Sequence, residues 1–570
     1  MSLFPRPRSS ALRGITAVLA AAVVVAVAAQ PASGSAPHNT RSVALVMDAP
    51  LPVSGSPSRA AGPAAVVQAP ALPGAQPISS HDRVYTADQT SNTVSVIDPS
   101  TNQVLGTIPM GAQRLDDVLG PQYLKSVDVH GLGFSRDGRY LDVISVTSNT
   151  VTVLRTIDNS VVSKTSVGRA SHEGFFTPDG TQVWVADRAL AQVDIVDAIH
   201  GGVVGHIATA DGPSKVVFSP DGNYAYVNHI RSATIDVISV ASRRVVARID
   251  GLADVFSSDE ALSPDGQQLW AAHKKTGQVS VIDTRTRQVI SVLTTGPATN
   301  HPNFVTTTTG AFVYLTVGGL NETKVYQRHG AGAPTLIGAV TSSGTEPHGI
   351  WPSPDNTRVY VVNEHSDTVD VIDTASRTVI HTLHVGQEGQ ALVYVANAVP
   401  SGTGTQHLTR QGLDQRVANA PAVVEGPGKV LVTVRAVDGL NMVELSAAKL
   451  EPLTKYTAYG AHGEARIPLL SFTTDAKGDK PAALAFVQFF GVYDPNTVSV
   501  SYSDNEGNRP AASHGQDVNP IPAGAPQTGG GGTAGRQDPV LIIIGFSLLL
   551  AAGATGVLGY RRRRRGNLVA

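Results

Sequence analysis

His348-Gly349-Ile350-Trp351-Pro352-Ser353-Pro354-Asp355-Asn356, followed by Val359-Tyr360-Val361-Val362-Asn363 and by Thr368-Val369-Asp370-Val371-Ile372-Asp373, is a phrase that returns along the chain every 42 to 46 residues. Its turn residue falls at Gly138, Gly180, Gly222, Gly266, Gly310 and Asn356. Its third segment opens at Val94, Val151, Val193, Ile235, Val279, Val325 and Val369. Pro at the second position of the turn and Gly at the fourth suit a type I turn. Gln182-Val183-Trp184-Val185-Ala186-Asp187 alternates as a half-buried strand does. Four short strands per copy at this period predict an all-β chain built on a β-propeller, and seven third segments predict seven blades, over residues 81–400.

Two irregularities mark the ring. The first repeat is longer than the others, with the excess between Gly111 and Val127. The first blade also lacks an inner strand of its own. Ala391-Leu392-Val393-Tyr394-Val395-Ala396, after the seventh blade, is placed to supply it and close the ring. Residues 401–425 read as a linker. Residues 426–502 hold non-repeating strand patterns, among them Val430-Leu431-Val432-Thr433-Val434 and Ile467-Pro468-Leu469-Leu470-Ser471-Phe472, and predict a small β-sandwich-like domain.

Both ends carry targeting patterns. Arg6, Arg8 and Arg13 precede an apolar run from Ile15 to Ala29 with Ala26-Val27-Ala28 as a cleavage site, so residues 1–29 read as a signal peptide. Residues 30–80, rich in Pro and Ala, read as a disordered linker. Residues 503–538 read as a Gly- and Pro-rich stalk, 539–560 as a transmembrane helix, and 561–570, with Arg561 to Arg565, as a basic cytoplasmic tail. Ala525-Pro526-Gln527-Thr528-Gly529 stands just upstream of the apolar segment. Motif, span and basic tail in this order resemble the cell-wall sorting signal of Gram-positive surface proteins. The resemblance implies sortase cleavage between Thr528 and Gly529 and attachment to peptidoglycan. Ala525 departs from the usual Leu.

Composition narrows the chemistry. The 570 residues carry a formal net charge of −2, so no nucleic-acid footprint is present. There is no cysteine, which excludes disulfides, thiolate zinc, iron–sulfur clusters and c-type haem. No Gly-x-Ser-x-Gly, His-Glu-x-x-His or phosphate loop occurs. Ser171-His172-Glu173 is no triad on this reading, because neighbours on a strand point to opposite faces.

Tyr85-Thr86-Ala87-Asp88 and Tyr360-Val361-Val362-Asn363, followed by Ser91-Asn92-Thr93-Val94 and Ser366-Asp367-Thr368-Val369, resemble the YVTN family of seven-bladed propellers of bacterial and archaeal surface-layer proteins. The resemblance spans about 320 residues and speaks to fold rather than function.

The repeat register also singles out side chains. Eight residues before the turn stand His130, His172 and His348, with His301 one residue off. Seven residues after it stand Asp187, His229, His273 and Asn363, and Asp88 takes that place in the first blade. Positions equidistant from a hairpin turn face each other, so the register gathers these residues at one mouth of the central channel. Three readings stay open. The histidines are consensus residues satisfying backbone groups; or they line a mouth for a polar glycan, peptide or lactone-like ligand; or they hold copper, zinc or iron. The last arrangement resembles nitrous oxide reductase, but no Cys-bearing copper domain accompanies it. The expected function is a surface-anchored binding or scaffolding module acting through this His-rich mouth. The alternative is an enzyme there, a lactone or ester hydrolase or a His-ligated metal-dependent oxidoreductase.

Overall fold

The computed structural model describes residues 76–111, 128–330, 332–414, 417–437, 440–462, 465–488 and 494–503. The signal peptide, most of the 30–80 linker, nearly all of the 111–127 excess, the stalk with Thr528 and Gly529, the 539–560 span and the basic tail lie outside these residues. Among the described residues no helix is long and apolar enough to cross a membrane.

Seven four-stranded antiparallel sheets follow one another along the chain. Blade two is typical, with strands Val129–Phe134, Tyr140–Ser145, Thr150–Arg155 and Ser160–Ser166 ordered from hub to rim. The two middle strands of a blade are buried on both faces, and the outer strand alternates. That gradient comes from stacking sheets radially, which covers everything but the rim. The turn between the first two strands has a repeated chemistry. In blade three Thr177 Oγ1 donates to Asp179 Oδ1 at 2.6 Å, Asp179 Oδ1 accepts from Thr181 N at 3.1 Å, and Gly180 sits at φ +72°. Asn356 takes the glycine place in blade seven at φ +58°, a conformation that Asn tolerates better than most residues.

Closure follows the expected route. Strand Gly389–Val395 pairs with Arg83–Asp88, with Val84 opposite Tyr394 and Tyr85 opposite Val393. Tyr394 Oη then donates to Asp82 Oδ2 at 2.7 Å. The last-made strand is thus the inner strand of the first blade.

The stretch read as a linker is not free. Arg83 donates to Thr403 O, Asn159 to Gly404 O and Gln406 O, and Thr107 and Thr409 form a β-bridge. Residues 403–411 thus lie along blades one and two. Strand Val417–Pro421 already belongs to the next unit. There, two sheets of four strands enclose a core that includes Val430, Val432, Val434, Val443, Leu445, Tyr456, Leu470 and Val500. The predicted alternation holds in strand Lys429–Val437, whose valines 430, 432 and 434 enter that core. Thr433 and Arg435, on the opposite face, meet the propeller.

Candidate functional site

The inner strands of blades two, three, four, six and seven are bulged at the channel end. In blade three Ser171 pairs with Asp187 but Gly174 pairs with Val185, so one residue is extra. The same slip occurs at Val129/Gly131, Pro213/Val216, Thr299/Pro302 and Pro347/Ile350. A bulge breaks strict alternation and re-aims side chains. This corrects two expectations. His172 and Glu173 both reach hub partners despite being neighbours. The residues after the turn pair one position earlier than the histidines, and they do not join them at the channel.

Four histidines meet as two pairs. His130 Nε2 and His172 Nε2 are 2.6 Å apart, within hydrogen-bond distance. His172 Nδ1 donates to Ser214 O at 3.0 Å, and His130 Nδ1 lies 3.2 Å from Gln89 Oε1. Burial lowers both pKa values well below the ordinary range. His301 and His348 pack with ring centroids 4.7 Å apart and planes tilted by 55°. His348 Nδ1 donates to Gln390 O at 2.8 Å, and His301 Nδ1 lies 2.9 Å from Asp259 Oδ2. Burial brings His301 down to about 3 and His348 to about 4, so both are neutral at physiological pH.

The other predicted residues serve the blades. Ser95, Asp194, Asp236, Ser280 and Asp370 occupy one equivalent position on their third strands. Each accepts a backbone N–H from the exit of the preceding blade: Gly386, Gly168, Ala210, Ala253 and Ser343, at 2.7–3.0 Å. The second-strand residues back these latches. Asp88 accepts from Ser95 at 2.7 Å, His273 Nε2 accepts from Ser280 at 2.8 Å, and His229 Nε2 lies 3.5 Å from Asp236. Asn363 donates to Thr368 Oγ1 at 3.1 Å. Burial, with Asp194 nearby, raises Asp187 to about 9, and burial raises Asp88 to about 7. A single metal on six histidines is therefore not what the ring assembles.

The sequence reading missed the charged centre of the hub. Lys215 Nζ lies 3.0 Å from Glu173 and 2.9 Å from Asp259, all three buried. Burial raises the Glu260 carboxyl well above its usual range. Arg188 reaches Ser214 Oγ at 2.7 Å. Below this polar arc the channel wall turns apolar at Leu132, Phe175, Ile350, Trp351 and Leu392. The free space among these side chains is about 10 Å³, room for about one water. The bulge positions carry this constellation, and only the histidines among them recur visibly at the repeat period.

The sandwich docks on the channel end that bears the histidines. Arg435, fully buried, donates to Glu364 O at 2.7 Å, to Glu444 Oε2 at 3.1 Å and to Asp367 Oδ1 at 3.3 Å. Asn419 Nδ2 donates to His365 O at 2.7 Å. His365 Nε2 faces Glu346, Glu364 and Glu444 at 3.7, 3.7 and 3.8 Å. Burial works against charging this imidazole, but Glu444, Glu346 and Glu364 lift it to about 10.

The family described as lactonase, 7-bladed beta-propeller, matches residues 142–395, less than half of the 570-residue chain. A search of curated proteins returns no match. Among solved structures, hydrazine synthase of Kuenenia stuttgartiensis aligns at 20% identity and TM-score 0.44 over 57% of this chain and 99% of that one. The periplasmic gluconolactonase of Pseudomonas aeruginosa aligns at 18% identity and TM-score 0.45 over 55% and 99%. Dihydro-heme d1 dehydrogenase NirN in complex with DHE aligns at 15% and 0.41 over 74% and 80%. The seven-bladed architecture stands on the order of the sheets themselves.

Proposed function

We propose that the chain is an exported protein retained at the cell surface by its C-terminus, and that propeller and sandwich together act there as a binding or scaffolding module. The filled hub carries this reading. Its Lys215 is paired with Glu173 and Asp259, and the cavity these groups line has room for about one water. A site that turns over an organic substrate is instead a concave pocket of several hundred Å³. Recognition of a glycan or peptide then falls to the outer surface. The signal peptide and the Thr528-Gly529 motif before an apolar span support display outside the membrane. Protease treatment of intact cells is expected to release the ectodomain, and recovery mainly in the cytoplasm would sink the location.

One observation favours a second reading, lactone or ester hydrolysis at the hub. Asp259 Oδ2 lies 2.9 Å from His301 Nδ1, the placement of a carboxylate beside an imidazole that could act as a base. The lactonase description of residues 142–395 supports the same chemistry. Purified protein is to be assayed against lactones and aryl esters. No turnover above background is expected; turnover lost in His301→Ala would replace the binding reading with the hydrolase.

A further inference from the structure

We propose that Glu346, Glu364, His365 and Glu444 form a site for one first-row divalent cation, which bridges blade seven and the sandwich. Glu346 lies on the segment entering blade seven, Glu364 and His365 on the loop between its second and third strands, and Glu444 on sandwich strand Leu440–Ala448. None belongs to the hub network around Lys215.

The carboxylates are held from outside and left open within. Glu346 Oε1 accepts from Lys274 Nζ at 3.1 Å and Glu444 Oε2 from Arg435 at 3.1 Å. Their other oxygens, Glu346 Oε2 and Glu444 Oε1, face His365 Nε2 together with Glu364 Oε1. Outer partners that orient each ligand while leaving its inner atom free are the usual second layer of a metal centre. The ring is oriented too, with Nδ1 3.3 Å from Thr433 Oγ1.

The spacing fits a cation better than hydrogen bonds. At 3.7–3.8 Å the three oxygens are too far from Nε2 to accept from it. A tetrahedral ion with bonds of about 2.0–2.2 Å keeps its ligand atoms about 3.4 Å apart; the three oxygens are within a few tenths of an ångström of that spacing from Nε2, and Glu444 must move further to meet the other two carboxylates. Glu346, Glu364 and His365 already offer atoms within 4.8 Å of one another.

A second observation is independent of that spacing. Glu364 is 1% exposed, and its Oε2 is buried without a hydrogen bond, 3.9 Å from His348 Nε2. A buried carboxylate oxygen without a donor is costly, and a cation bound to this carboxylate would offset that cost. One imidazole with three carboxylates suits zinc or manganese.

The full-length protein, stripped with chelator and dialysed, is to be titrated with Zn²⁺ by calorimetry, with metal analysis after equilibrium dialysis. One zinc per chain and a rise in Tm are expected. His365→Gln and Glu444→Gln are each expected to weaken binding by about tenfold or more, while His200→Gln, at an exposed turn, leaves it unchanged. His172→Gln tests the hub group His130, His172 and Glu173. Absence of stoichiometric uptake, uptake indifferent to His365→Gln and Glu444→Gln, or uptake lost only in His172→Gln would each overturn the proposal. Near-UV circular dichroism of the metal-free variants reports folding. If both interface variants fail to fold, Glu346→Gln at the half-buried rim decides: weakened zinc binding supports the site and unchanged binding refutes it.

Discussion

Asp187 shows how a repeat position can be recognised and its purpose misread. It shares its place with His229, His273, Asn363 and Asp88, and the register reveals that equivalence. The latch chemistry stayed hidden because it depends on which way a strand faces after a bulge. Neither Asp187 oxygen has a hydrogen bond, and its carboxyl stays protonated to about pH 9. The unfolded chain ionises near 3.8. Between these values the folded state binds the extra proton, so stability is lost as pH rises. Asp187→Asn, which copies Asn363 of blade seven, removes that loss. The variant is expected to match the wild type near pH 4 and to exceed it by on the order of 5 kcal/mol at pH 8, about 1.4 kcal/mol for each pH unit. Urea unfolding at the two pH values measures the difference; a pH-independent difference would refute the assignment.

At the scale of elements, turns and strands were readable because they are local. The Ser-Pro-Asp-Gly turn, the alternating second strand and the returning clasp at 391–396 all follow from short-range patterns. The hub was readable only in part. His130, His172, His301 and His348 stood out by recurrence, whereas Glu173, Lys215 and Asp259 hold one repeat position, seven before the turn, but differ in kind from blade to blade. Close approach of inner strands also leaves a mark in glycine. A Cβ on Gly349 would lie 2.5 Å from Gln390 O and 2.7 Å from Leu392 N, where blade seven meets the clasp strand. Backbone atoms have nowhere to retreat, so Gly349→Ala is expected to cost about 1–3 kcal/mol by overpacking. Denaturant midpoints at unchanged slope check this; an unchanged midpoint would show that the two strands can separate freely.

At the scale of the molecule, the sandwich is docked against blade seven. Alternation along Lys429–Val437 points the valines into the sandwich core and Thr433 and Arg435 at the propeller. The sequence could not assign that outer face to a partner, since an outward Arg is ordinary on a strand. Arg435→Met leaves Asp367 and Glu444 buried without their cation, which is expected to cost roughly 3–5 kcal/mol. Calorimetry should then resolve two transitions where one is expected for the wild type. Adding Asp367→Asn and Glu444→Gln should restore part of the loss, because the stranded charges go with the substitutions. A single unshifted transition in Arg435→Met would mean that docking does not depend on this contact.

The pairing of Gly389–Val395 with Arg83–Asp88 also sets an order of assembly. A chain emerging from its N-terminus can stack blades two to seven as they are made, but blade one waits for a strand synthesised after all of them. Until then both ends of the arc show unpaired strand edges, the surfaces most prone to joining other chains. A nascent chain halted before Gly389 is thus an open arc with nothing to lock it. Only read-through past Val395 turns the series of sheets into a ring without a beginning.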